Sequence, residues 1–352
     1  MPLIYAGIDE AGYGPLLGPL CVGMSVFHVE QWAEGSQAPD LWKHLSPAVC
    51  RDAGDKRRRI AVDDSKKLKL SNSSVSKHPL THLERGILMF LGVMDHAAVA
   101  AGATTESDEA SNRPCPATDI EFFDRAGVSV PTEAWYAGEP FAWPLATSAD
   151  AVGIGANTLR LAMTQAGVRL LDLKCQAMGE GTFNELVHAA GTKAAATEAA
   201  IVEHLWTIWD RWGAIGAESG GGVRVICDRQ GGRAYYAEML GRAFPGVEVV
   251  ETHHSETQSR YEMRGVGDDG LARHMHVLFL VESERQHLPV ALASMLAKLT
   301  RESMMARFNR YWCGRLPELK PTAGYRGDGW RWLEEAKGVV SASERVAMIR
   351  RA

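Results

Sequence analysis

The sequence has no C-x-x-C pair, no apolar run long enough to span a bilayer and no surplus of positive charge. Its six cysteines, Cys21, Cys50, Cys115, Cys175, Cys227 and Cys313, are scattered. That spacing excludes a disulfide framework or a structural zinc site built on paired thiols, and reduced thiols are the expectation. A spanning helix needs about 20 apolar residues, so no membrane role is expected. The opening MPLIYAGIDEAG lacks the basic-then-apolar order of a secretory signal, which makes a cytoplasmic protein the expectation. A net charge of −5 argues against a general nucleic-acid coat. It leaves room for a local basic groove, because steering depends on where charges sit. There is no internal repeat.

What is present suits an α/β fold. Hydrophobic residues make up 46% of 352 residues, enough for a sizeable core. Leu3 to Ile8 reads as a buried strand broken by Gly12, Gly14 and Pro15, and Cys21 to Val29 as a second strand paired back on it. Pro79 to Ala98 predicts a helix with Thr81 and Glu84 in capping-box spacing. Residues 102–119 are polar and rich in breakers, a loop or linker. Thr192 to Trp212 has helical spacing, a glycine-rich turn follows at 219–222, and Val223 to Cys227 is an apolar strand ending at Asp228. Ala234 to Phe244 reads as the next helix, His274 to Val281 as a strand, Pro289 to Trp312 as the longest helix, and 328–337 and 342–351 as short closing helices. Alternating strands and helices favour an α/β arrangement.

Four groups of residues carry chemistry. Asp9 and Glu10 sit where a strand gives way to the turn Gly12-Tyr13-Gly14-Pro15. Acids there are costly to bury unless they hold a cation or are otherwise paired, and glycines admit close approach by another backbone. A solvated turn is the alternative, while a phosphate loop is a weaker reading because no Gly-Lys-Ser/Thr follows. Asp63-Asp64-Ser65-Lys66-Lys67 offers two lysines that either hold phosphates or form a solvated charge run. Asp228 ends a hydrophobic strand, where an acid serves as a cap or as a metal ligand. Ser294, Lys298, Arg301 and Glu302 fall within an arc of roughly 100° on one helix, opposite Leu292, Leu296 and Leu299. Taken alone, that stripe is an amphipathic helix with a surface ion pair.

Together these segments resemble the type-2 ribonuclease H (ribonuclease HII) family. GIDEAGYGPLLGPL resembles its opening motif, VDDSKKLKLS its Asp-Ser-Lys-Lys-Leu segment and VICD the strand ending in its third catalytic Asp. LASMLAKLTRE resembles its Ala-Ser-Ile-x-Ala-Lys-Val-x-Arg-Asp helix, and AGYRGDGWRWLE its Gly-Tyr-Gly segment. All five follow the family's order. The resemblance implies a ribonuclease H-like mixed β-sheet flanked by helices, with a C-terminal helical region. On that basis residues 1–100 and 191–312 form the catalytic core, 101–190 an insertion of uncertain structure and 313–352 a helical region that grips the duplex. It also implies that Asp9, Glu10, Asp228 and Glu302 bind Mg²⁺ or Mn²⁺, hard cations that prefer oxygen donors. Gly12, Tyr13, Gly14, Ser65, Lys66, Lys67, Ser294, Lys298, Arg301 and Tyr325 then contact an RNA–DNA hybrid or a ribonucleotide-containing duplex DNA.

The sequence departs from the family at Tyr13, where Arg is usual, at Glu302 in place of Asp, and at Arg229 and Arg326, which displace glycines. Three readings therefore stay open: an active ribonuclease, a nucleic-acid-binding relative with lost or altered catalysis, and a different two-metal nuclease on the same fold. An extra hairpin is expected at 251–277. His253-His254 and His274-x-His276 are expected to be a surface histidine cluster rather than a metal site. Tryptophans such as Trp206, Trp209 and Trp312 are expected to pack helices rather than stack on bases.

Overall fold

The computed structural model describes residues 1–33, 35–94, 115–218, 222–229 and 233–351. The described strands are β1 (Leu3–Ala11), β2 (Leu20–Val29), β3 (Val49–Cys50), β4 (Ile60–Ala61), β5 (Val168–Met178), β6 (Val223–Asp228), β7 (Glu248–His254), β8 (Gln258–Val266) and β9 (Ala272–Leu280). Seven of them form one sheet in the order β5-β2-β1-β6-β9-β8-β7, while β3 and β4 make a separate parallel pair. β1, β6 and β9 are mutually parallel, and β2, β5, β8 and β7 pair antiparallel to their neighbours. The expected mixed sheet flanked by helices, with helices closing the chain, is the architecture observed.

Strand periodicity sets the layers. Along β1, Leu3 and Tyr5 enter one core while Ile4, Ala6 and Ile8 enter the other, as a period of two requires. The helix Leu288–Arg315 covers the first face, packed on β1 and β2 with the helix Thr81–Leu91 beside it. The helix Ala194–Glu218 covers the second face. A Cβ at Gly7 would stand 2.2 Å from the Val290 nitrogen, and one at Gly23 would stand 2.2 Å from the Ala293 carbonyl oxygen. These two glycines let the Leu288–Arg315 backbone lie directly on the sheet.

Several expectations change. Leu288–Arg315 is buried nearly all round, with Leu292, Leu296, Leu299, Ser294, Lys298 and Arg301 all in the interior, so it is a central helix rather than an amphipathic surface one. Thr81 and Glu84 do not form a capping box. Glu84 is fully buried and accepts the N–H groups of Leu145 and Ala146, both at 2.6 Å. Within 101–190, β5 is an integral strand of the central sheet, hydrogen-bonded to β2 along its length, and the helices Asp119–Arg125 and Ala149–Ala166 precede it. The loop expected at 102–119 falls outside the described residues up to 114, as do 95–98 of the first long helix and 219–221 of the glycine-rich turn. The hairpin expected at 251–277 is a three-stranded meander, β7-β8-β9.

Trp209 and Trp312 are buried, and Trp206 stacks on Phe244 at 4.5 Å, so these tryptophans pack helices as expected. All six cysteines are free thiols. No described helix is long and apolar enough to cross a membrane.

Candidate active site

The pairing of β1 with β6 places the acids. Ile8 registers with Cys227, so Asp9 and Asp228 follow side by side at the carboxyl ends of adjacent parallel strands. Alternation turns both away from the core that takes Ile8 and Cys227 and toward the Leu288–Arg315 helix. Such strand ends are where α/β sheets place ligand groups. Asp9 is 8% exposed, accepts the Glu10 N–H at 2.7 Å and accepts the Ser294 hydroxyl. Asp228 accepts both the N–H and the hydroxyl of Ser283 at 3.0 Å.

A cavity of about 230 Å³ gathers Asp9, Glu10, Gly12, Tyr13, Gly14, Asp64, Ser65, Lys66, Asp228, Glu284, Ser294, Lys298 and Tyr325. Burial, then Glu10 and Asp228, hold the Asp9 carboxyl well above the usual range. Burial and then Asp228 push Glu10 up to about 7. Burial raises Asp228 against the hydrogen bonds from Ser283, and burial followed by Asp228 raises Glu284. No described lysine or arginine forms an ion pair with any of these four acids. Crowded, desolvated carboxylates that no cationic side chain pairs directly are poised to take a cation from solution.

Glu284 is a residue the sequence reading missed, and Glu302 is not in the cleft. Glu302 lies eight residues beyond Ser294 on the same helix, about 12 Å along the axis at 1.5 Å per residue. Lys298 stands between them. Its Nζ is 2.9 Å from one Glu302 oxygen, and Lys69 Nζ is 3.9 Å from the other. Glu302 lines a neighbouring groove with Asn72, His78 and Asn309. Its charge is already answered by two lysines, which leaves it unsuited to share an ion with Asp9.

Ser65 and Ser294 join their hydroxyls at 3.0 Å across the cleft floor. The short helix Ser65–Leu68 is capped by Asp64, whose carboxylate accepts the Lys66 N–H at 2.9 Å, and this turns the Lys66 side chain into the cleft. Lys67 turns away and pairs with Asp63 at 3.2 Å. Tyr325 lines the opposite wall, with its hydroxyl 3.4 Å from Lys298 Nζ. Arg301, expected at the substrate, is fully buried instead. Its guanidinium donates to the carbonyls of Leu17 and Ala323 at 3.2 and 3.0 Å and lies against Gly12. It supports the glycine turn from beneath and does not face the cleft. Arg229 also stays out of the cleft, bound to the carbonyls of Arg233 and Glu256.

The glycine turn has a second support from the far end of the chain. Arg350 is 2% exposed and donates to the carbonyls of Gly12 at 2.5 Å, Tyr13 at 2.9 Å and Gly18 at 3.2 Å. Asn184 holds the chain on both sides of it, donating to the Ile349 carbonyl and accepting the Arg351 N–H. Glu180 accepts the Gly18 N–H at 2.8 Å and the Tyr136 hydroxyl at 2.9 Å. No local pattern announces these two residues, because the turn carbonyls that Arg350 meets and the Gly18 N–H that Glu180 accepts lie more than 160 positions away in the chain.

Fold and cleft define a class: an α/β protein whose parallel strand ends carry a buried, oxygen-only cluster of acids flanked by lysines and a glycine turn. Such a donor set suits hard divalent cations such as Mg²⁺ or Mn²⁺ rather than zinc. Among solved structures the chain is similar to ribonuclease HII from Archaeoglobus fulgidus, described in complex with PCNA. The identity is 13%, the match covers 99% of this chain and 94% of that one, and the TM-score is 0.38. It is also similar to ribonuclease H2 from Pyrococcus horikoshii OT3, at 13% identity, 100% and 93% coverage and a TM-score of 0.37. No family model and no curated protein matches the chain.

Proposed function

We propose that the protein is a divalent-metal-dependent endonuclease that hydrolyses the RNA strand of RNA–DNA hybrids, leaving 5′-phosphate and 3′-hydroxyl ends. One observation carries this reading. Each of the five segments that resemble type-2 ribonuclease H, far apart in sequence, contributes a side chain to the same cleft: Asp9 and Glu10, then Ser65 and Lys66, then Asp228, then Ser294 and Lys298, then Tyr325. Glu284 completes the carboxylates in place of Glu302.

Asp9, Glu10, Asp228 and Glu284 would hold Mg²⁺ or Mn²⁺, which activate water and stabilise a leaving oxygen in phosphodiester hydrolysis. Lys66 and Lys298 provide point charges for phosphates on either side of the acids, contacts that position a strand without reading its bases. Gly12, Tyr13 and Gly14 line the cleft, and their backbone N–H groups would be the contact to a ribose, where the 2′-hydroxyl distinguishes RNA from DNA. Tyr13 keeps those N–H groups, so the Arg it replaces is not required for that contact.

The test is incubation of the purified chain with a labelled RNA–DNA hybrid, and with a DNA duplex carrying one ribonucleotide, under Mg²⁺ and Mn²⁺. Cleavage of the RNA strand is expected; its absence with every divalent ion overturns the reading. The same assay separates the two glutamates. Glu284→Gln is expected to lose on the order of 10²-fold in rate, while Glu302→Gln retains most activity. The reverse ranking would return Glu302 to the metal-binding set.

A further inference from the structure

The meander β7-β8-β9 carries a second cluster of ligating side chains that the nuclease chemistry does not use. Met275, Val277 and Phe279 of β9 point into a core, so His274 and His276 share the other face. On β8, Tyr261 and Met263 point inward and Glu262 outward, directly opposite His276 in the strand register. The imidazole of His274 lies 2.7 Å from a Glu262 oxygen, and the two imidazole centroids are 4.7 Å apart. Among the described residues, these three form the group whose ligand atoms all lie within 4.8 Å of one another. The sequence showed the His-x-His pair but not the acid, which is supplied by the neighbouring strand.

We propose that Glu262, His274 and His276 form a binding site for a transition-metal ion of the Zn²⁺ type, separate from the acid cleft. Two imidazoles and one carboxylate are the donors such ions choose, and Mg²⁺ avoids imidazole. Ligand atoms of a tetrahedral zinc site stand about 3.3 Å apart, from bonds of about 2.0–2.1 Å, so small side-chain rotations close this cluster onto an ion. The three residues are half-buried, which gives an ion access and leaves the fourth position to water. The two strands are already fixed side by side by their ladder, so little order is lost on binding. Arg224 and Arg260 place positive charge beside His276, and one contact opposes the ion directly: Arg264 donates to the same Glu262 oxygen at 2.6 Å, from a side chain that is 61% exposed. It must swing into solvent when the ion enters.

That competition gives the test a direction that a purely structural cluster would not show. Zn²⁺ is titrated into the full chain by calorimetry, with Co²⁺ absorption as an optical probe, in a background carrying Asp228→Asn to weaken the acid cleft. Tight binding of one equivalent that excess Mg²⁺ does not displace is expected. His276→Asn and Glu262→Gln should each weaken it at least about tenfold, and Arg264→Ala should strengthen it. The Gln variant keeps a hydrogen-bonding partner for His274, so it guards against loss of fold. Unchanged affinity in both ligand variants, or weaker binding in Arg264→Ala, overturns the proposal.

Discussion

Replacing Asp9 with asparagine is expected to lower hybrid cleavage by on the order of 10³-fold and, in the absence of divalent ions, to make the protein more stable. Both effects have one cause. Asp9 is buried between Glu10 and Asp228, and every one of these carboxyls is held above its ordinary range by burial, reinforced at Asp9 and Glu10 by a neighbouring acid. A carboxyl that titrates higher when folded than when unfolded makes no difference at low pH, where both states are protonated. As pH rises past the unfolded value, the unfolded chain releases the proton that the folded one retains, and stability falls. For Glu10 this loss begins near 4.5 and is complete only above about 7. Asparagine fills nearly the same volume without charge and relieves its neighbours, so the metal-free variant should melt about 2–4 °C higher at neutral pH. Mg²⁺ should raise the melting temperature of the parent chain, since an ion bound by the folded state alone stabilises it. It should raise that of the variant much less. Full cleavage by Asp9→Asn would remove the cleft from the chemistry altogether.

The acid pair was legible because its signal is local. A strand that ends in Asp-Glu before glycines can be read without knowing the fold, and the same holds for Asp228 at the end of VIC. The Leu288–Arg315 helix is legible as a helix, but of its stripe Ser294, Lys298, Arg301 and Glu302 only the first two line the cleft. Periodicity tells which face a residue shares; it does not tell how far along the axis the site extends. Ser294 and Lys298 reach the cleft, Glu302 has passed it, and Arg301 turns under the glycine loop. Glu284 was invisible for the opposite reason. It sits in a one-turn helix, Ser283–Arg285, inside Glu282-Ser283-Glu284-Arg285, a run that reads as solvated charge. The two bonds from Ser283 to Asp228 tie that turn to the cleft, and no local pattern in the sequence announces them. β5 escaped notice because both of its faces carry apolar residues, including Leu170, Leu171 and Leu173, which blurs the alternation that marks a half-buried strand.

Arg350→Met should be the most destabilising single change near the cleft, costing about 3–5 kcal/mol. The buried guanidinium answers three carbonyls of one loop at once, and methionine fills the space while leaving all three without a donor. Burial pulls the guanidinium down only to about 10, so it remains charged at neutral pH, and the nearby Glu180 favours that charge. Because the loop is the wall that carries Gly12, Tyr13 and Gly14, cleavage should fall in step, even at temperatures where the variant is folded. Arg350→Lys separates charge from shape. A single ammonium keeps the positive charge but cannot reach three carbonyls in the way a planar fork does. It should therefore recover part of the stability, measured by urea unfolding, and less of the activity. Equal rescue of both would mean that the loop needs only a charge beneath it, whereas rescue of stability alone would show that the position of the Gly12–Gly14 backbone limits the reaction.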